Sequence, residues 1–176
     1  MRTRVGYAGG TTENPTYENI GDHTEALQID YDPDVISYGE LLEIFWKSHS
    51  PTARSWSTQY RSAIFTMDDE QAGIAAKSTA RLQMSIGGKV HTALEPLGRF
   101  YLAEGYHQKY YLQQDHVLMT DFMGIYPELE DFVNSPAAAK ANGFMSGVGS
   151  AEELTRYLHL LGLSEDGKRR LLLRVR

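Results

Sequence analysis

An α+β fold is consistent with the order of elements along this chain of 176 residues. Three observations carry that reading. Residues Glu25 to Tyr31 alternate in the manner of a half-buried strand, Ser37 and Glu40 stand where a helix N-terminus needs them, and Asp68 to Ser85 opens with the acidic residues that suit a helix start. With 41% hydrophobic and 11% aromatic residues, the chain is long enough to bury a core, and one domain followed by a tail is the expected organisation.

Taken in order, Thr3 to Tyr7 reads as a short strand ending at Gly9-Gly10, and TTENPTYENIGDH, rich in Thr, Asn, Gly and Pro, reads as a long surface loop. Ala26, Leu27, Ile29 and Tyr31 supply the apolar positions of the next strand, which Asp32-Pro33 ends. From Ser37 a helix follows, with Leu41, Leu42, Ile44, Phe45 and Trp46 as its buried face, stopping near Ser50-Pro51. Tyr60 to Thr66 is rich in β-forming residues and reads as a strand, Asp68 to Ser85 as a helix, Lys89 to Glu95 as a further strand, and Ala103 to Gln114 as helical or turn-rich. After about His116 the character changes. Ser135 with Pro136 marks a helix start, MSGVGS reads as flexible, and Leu154, Leu158 and Leu161 form one helical stripe between Ala151 and Leu161. The predicted boundaries are a domain over residues 1–116 and a helical tail over residues 117–176 that packs on it.

Composition narrows the function classes. A formal net charge of −6 argues against an electrostatic grip on nucleic acid or anionic membrane, and the basic run KRRLLLRVR, Lys168 to Arg176, reads as a solvated terminal segment. The chain contains no cysteine, which excludes a disulfide scaffold, a thiolate zinc site and a thiol nucleophile of its own. No apolar run approaches the roughly 18 residues of a membrane span, and MRTRVGYAGG lacks the apolar centre of a secretory signal, so a cytoplasmic protein is the simplest expectation. No phosphate-cradling glycine loop is present, SIGGK lacks the glycine that a serine nucleophile elbow needs, and no cofactor is implied. His23, Glu25, Glu104 and His107 are residue types that bind divalent metals, yet their spacing establishes no three convergent ligands, and no metal site is assigned.

RVGYAGGTTENPTYENIGDHTEALQIDYDP from Arg4 to Pro33, STQYRSAIF from Ser57 to Phe65 and AEGYHQKYYL from Ala103 to Leu112 together resemble the A-type peptide methionine sulfoxide reductases. The resemblance implies a mixed sheet with packed helices in two layers. It also implies thiol-dependent reduction of methionine S-sulfoxide, free or in proteins, with regeneration by thioredoxin or another thiol. In the family the nucleophilic cysteine lies in a Gly-Cys-Phe-Trp segment that precedes the stretch corresponding to Val5-Gly6-Tyr7, together with a strand and a helix. This chain is therefore expected to be truncated at its N-terminus, impaired in catalysis, and either marginal in stability or dependent on a partner.

Residue by residue, the resemblance makes Glu25 the general acid candidate, in a carboxyl group sunk in an aromatic pocket, and Tyr7 and Tyr60 the groups that hold the substrate oxygen. Without the resemblance, Glu25 reads as a surface strand glutamate and each tyrosine as ordinary packing. Two departures lie inside the matched region: Ser55 stands where the family has an aspartate, and Ser50 replaces the aspartate of a His-Asp-Pro run. They point toward the alternative of a non-catalytic protein that binds methionine sulfoxide or packs on a partner. A metal-dependent enzyme is the remaining alternative.

Overall fold

The computed structural model describes residues 1–175 and confirms the α+β class. Strand β1 (Arg2–Ala8) lies between β2 (Thr24–Asp30) and the short β5 (Tyr101–Leu102), the β1–β5 pair being antiparallel with Tyr7 opposite Tyr101. A second sheet pairs β3 (Ala63–Thr66) with β4 (Ala93–Pro96) in parallel, Ile64 opposite Leu94. Parallel neighbours need a long crossover, and helix α2 (Asp69–Ser85) supplies it.

The chain divides into two compact units. One comprises Gly6–Ala26 and Tyr31–Ala103. Its helix α1 (Tyr38–Lys47) begins at the expected capping box: the Ser37 hydroxyl accepts from Glu40 N, and the Glu40 carboxylate accepts from Ser37 N at 2.8 Å. Leu42 is buried with Ile64 and Ala75, and Phe45 and Trp46 pack against them. Ile44, expected in that face, is 57% exposed, because two residues after Leu42 the helix has turned about 200° and points away. Asp68 caps α2 by accepting from Gln71 N at 2.7 Å.

Two strands are shorter than expected. The residues between Lys89 and Thr92 stay outside β4, and Tyr60 lies in a turn before β3. That turn forms because Ser55 Oγ accepts from Ser57 N at 3.2 Å and Ser57 Oγ accepts from Tyr60 N at 3.3 Å. Serine side chains thus give the backbone local partners in place of a ladder.

The other unit comprises Met1–Val5, Leu27–Asp30 and the chain from Glu104 onward. The predicted helix-or-turn segment is turn-rich, with 3-10 turns at Gly105–His107 and Leu112–Gln114. Helices α3 (His116–Ile125), α4 (Leu129–Asn134), α5 (Pro136–Met145), α6 (Ala151–Tyr157) and α7 (Glu165–Leu172) follow. Ser135 caps α5 with Pro136 at its first position, as read from the sequence. Leu154 and Leu161 join Leu118, Phe122, Phe132 and Phe144 in one apolar cluster, although α6 tightens into a 3-10 turn at Leu158–Leu160.

The basic run is solvated along its charged side and anchored at Leu171 and Val175. Leu163 and Leu171 are buried with Val175, eight and four residues apart, so one stripe of α7 and its flanks enters the core while Lys168 and Arg169 pair with Glu165 and Asp166 outside it. Arg176, the last residue of that run, lies outside the described residues.

Lys109, with φ +50°, sends a buried ammonium to Thr3 O at 2.5 Å and to Val133 O at 2.9 Å. Burial, then the nearby Arg4 charge, lowers its pKa to about 8. Among the described residues, no helix is long and apolar enough to cross a membrane.

Candidate functional site

The glycine-rich segment after β1 folds as a close backbone turn. Gly9 sits at φ +80°, and a Cβ there would fall 2.5 Å from the Phe65 ring and 2.8 Å from Arg61 Nη2. The Asp22 carboxylate collects the amides of Thr11 and Thr12 and both hydroxyls at 2.8–3.0 Å. Those bonds, the Thr12 amide foremost, hold the Asp22 carboxyl well below the usual carboxylate range. His23 is fully buried: its Nδ1 accepts from Gly10 N at 3.1 Å and its Nε2–H donates to Thr12 O at 2.8 Å. Its ring meets Tyr101 edge-on at 5.4 Å between centroids. With both nitrogens engaged by backbone, His23 holds the loop in place and offers no lone pair to a metal.

Thr24, buried beside it, donates from Oγ1 to Thr58 O at 3.1 Å and accepts from Arg61 Nε at 2.8 Å. Arg61 closes a two-pronged ion pair with Glu95 at 2.5 and 2.7 Å, which raises the guanidinium pKa and lowers that of the carboxyl. The stretch around β2 is thereby tied to the turn that carries Thr58, Gln59 and Tyr60.

Strand alternation sends Thr24 inward and Glu25 outward. The aromatic pocket expected around Glu25 is therefore absent. Its side chain is exposed. What the structure provides instead is a hydrogen-bonded array. Gln59 Nε2 donates to Glu25 Oε1 at 2.8 Å and to Tyr60 Oη at 3.1 Å, while Gln59 O accepts from Glu25 N at 3.0 Å. Tyr60 is further hydrogen-bonded to Tyr17, and that bond, followed by burial and the Tyr17 and Glu25 charges, raises the Tyr60 pKa. The phenol accordingly stays a proton donor through the neutral range. Trp56, 84% exposed, leans on the Tyr60 ring at 5.3 Å and 49°.

The structure thus brings Glu25 and Tyr60 into one array, whereas Tyr7 is 2% exposed within β1. Gln59, Tyr17 and Trp56 are the members that sequence reasoning passed over. Gln59 lies between the matched Thr58 and Tyr60, where adjacency to Tyr60 was the available signal, and Trp56 immediately precedes the matched run at Ser57. Ser55, at the position of the family aspartate, donates from Oγ to Ser57 O at 2.7 Å and serves only its own turn. Among the described residues no group of three or more His, Cys, Asp or Glu is arranged to hold a metal ion. A cavity of about 260 Å³ at the ends of β3 and β4 is edged by Asp68, Asp69 and Glu95 and contains none of the array residues.

A carboxyl and a phenol are thus held side by side at the surface, flanked by an exposed indole. Residues 1–140 match the family model for peptide methionine sulfoxide reductase, and the chain belongs to that family. It is 41% identical over 170 residues, 93% of this chain and 66% of the relative, to a peptide methionine sulfoxide reductase of Drosophila melanogaster. It is 41% identical over 150 residues, 82% of this chain and 58% of the relative, to peptide methionine sulfoxide reductase A5 of Arabidopsis thaliana. The chain therefore spans less than two thirds of these relatives. Among solved structures, reduced Mxr1 from Saccharomyces cerevisiae superimposes with a TM-score of 0.59 at 34% identity, covering 64% of this chain and 70% of the other. Methionine sulfoxide reductase A of Corynebacterium diphtheriae gives 0.55 at 34% identity, with 65% and 64% covered.

Proposed function

We propose that this chain binds the methionine S-sulfoxide group at the Glu25–Gln59–Tyr60 array and, by itself, does not reduce it. The observation that carries the reading is that array: a proton donor and a carboxyl linked by one amide and flanked by an exposed aromatic pair. In this reading Tyr60 donates to the sulfoxide oxygen and Glu25 stands beside it as the general acid candidate.

Reduction then needs a thiolate at sulfur. One thiol attacks as the S–O bond breaks and the oxygen leaves as water, and a second thiol displaces the sulfide, so that two thiols become a disulfide. None of the 176 residues is a cysteine, so both thiols must come from outside them, thioredoxin or a small dithiol being the matching class of reductant. The loss of carboxylates at Ser50 and Ser55 supports binding without turnover. Packing on a partner protein is the alternative function.

The test is product formation from N-acetylmethionine S-sulfoxide with excess dithiothreitol, alongside binding of the same compound by NMR. Binding with no methionine product above a protein-free control is expected. Product above that control overturns the non-catalytic reading, and absence of binding overturns the assigned site.

A further inference from the structure

We propose that Gln59 is the positioning residue of this site, assigning the separate roles of Glu25 and Tyr60; the functional consequence rests on the sulfoxide-binding reading above. A glutamine amide nitrogen carries two N–H groups about 120° apart, and here both are spent, one on Glu25 Oε1 at 2.8 Å and one on Tyr60 Oη at 3.1 Å. The Gln59 carbonyl also accepts from Glu25 N at 3.0 Å. Glu25 is thereby gripped at backbone and side chain by the same residue. An exposed glutamate otherwise samples several rotamers, and a carboxyl already fixed in one spares the ligand that ordering.

The bonds also set direction. Because Glu25 Oε1 accepts from Gln59, Oε2 is the carboxyl oxygen outside that bond. Because Tyr60 Oη accepts from Gln59, its own hydrogen is turned away from the amide, toward Tyr17 or an incoming oxygen. One amide thus makes the phenol a donor and frees one carboxyl oxygen.

The test uses the full chain with N-acetylmethionine S-sulfoxide and, as the oxygen-free control, N-acetylmethionine. Q59L is expected to weaken the sulfoxide about tenfold while leaving the sulfide unchanged, the loss of one good hydrogen-bonded arrangement. Equal weakening of both ligands means that Q59L only disturbs the surface, and unchanged sulfoxide affinity means that Gln59 orients nothing; either overturns the proposal. A second readout separates it from the reading it rests on. The Gln59 side-chain amide proton signals, identified by their loss in Q59L, are expected to shift one in E25Q and the other in Y60F. If the wild-type chain fails to bind sulfoxide yet both shifts occur, the binding reading falls and the positioning role stands. If neither shift occurs, the positioning role falls whatever the ligand does.

Discussion

The two compact units differ in what they do with apolar side chains. Among the described residues, fourteen side chains from Leu112 to Val175 form one buried cluster in the helical unit, whereas the buried cluster of the sheet-and-helix unit consists of Leu42, Ile64 and Ala75. Both units also expose large apolar side chains, among them Ile44, Trp56 and Met84 in the latter and Tyr110, Leu160 and Leu173 in the helical unit. Stability of the first is a matter of packing. The second keeps aromatic and carboxylate groups at its surface, held there by hydrogen bonds rather than by a core.

That contrast is broken most directly at Phe122, which is fully buried in the helical unit and faces both Phe132 and Tyr126 at 6.3 Å. Phe122→Ala removes a ring that the cluster cannot replace and is expected to cost about 3–5 kcal/mol in urea unfolding. Ile44→Ala, at an exposed position of α1, is expected to stay within about 0.5 kcal/mol. Equal losses at the two positions would erase the distinction between the units.

A smaller effect comes from Lys109, whose buried ammonium clasps Thr3 O and Val133 O in the helical unit. The Lys109 pKa falls from 10.5 to about 8 on folding, so between those values the unfolded chain holds a proton that the folded chain has released. Stability must therefore rise with pH across this window. The rise amounts to about 2 kcal/mol from pH 8 to 9.5, before tyrosine ionisation intervenes. Neutral Lys109 keeps two N–H donors for Thr3 O and Val133 O, so the clasp survives. Lys109→Met is expected to abolish the slope in urea titrations at stepped pH; a slope that persists in the variant would place the titrating group elsewhere.

Local signals explain which parts of this molecule are legible in the sequence. Ser37 with Glu40, Asp68 and Ser135 with Pro136 each announce a helix start through a side chain that reaches only three residues along the chain. The resemblance of STQYRSAIF singled out Tyr60, yet its turn was not legible: Tyr60 was expected in a strand because its β propensity outweighed the serine-to-backbone bonds that hold the turn. The role of Gln59 was not legible, since it depends on bringing Glu25 within 2.8 Å of a residue 34 positions away. KRRLLLRVR misled for a similar reason: its charge is obvious locally, whereas the partners of Leu171 lie in α3 and beyond.

The smallest expected effect sharpens the comparison from the surface side. Trp56 is 84% exposed and its ring leans on that of Tyr60, itself 45% exposed, so removing the indole opens no cavity. Trp56→Ala is expected to shift unfolding free energy by no more than about 0.5 kcal/mol. The same variant is expected to weaken N-acetylmethionine S-sulfoxide several-fold, because an indole face attracts a polarised sulfur and its methyl group through its ring electrons. Side chains kept for stability and side chains kept for binding respond oppositely to these two measurements, stability falling for one and affinity for the other. A loss of more than 1 kcal/mol in unfolding with affinity unchanged would make Trp56 a packing residue. The surface aromatics would then be an extension of the small core around Leu42 rather than part of a site.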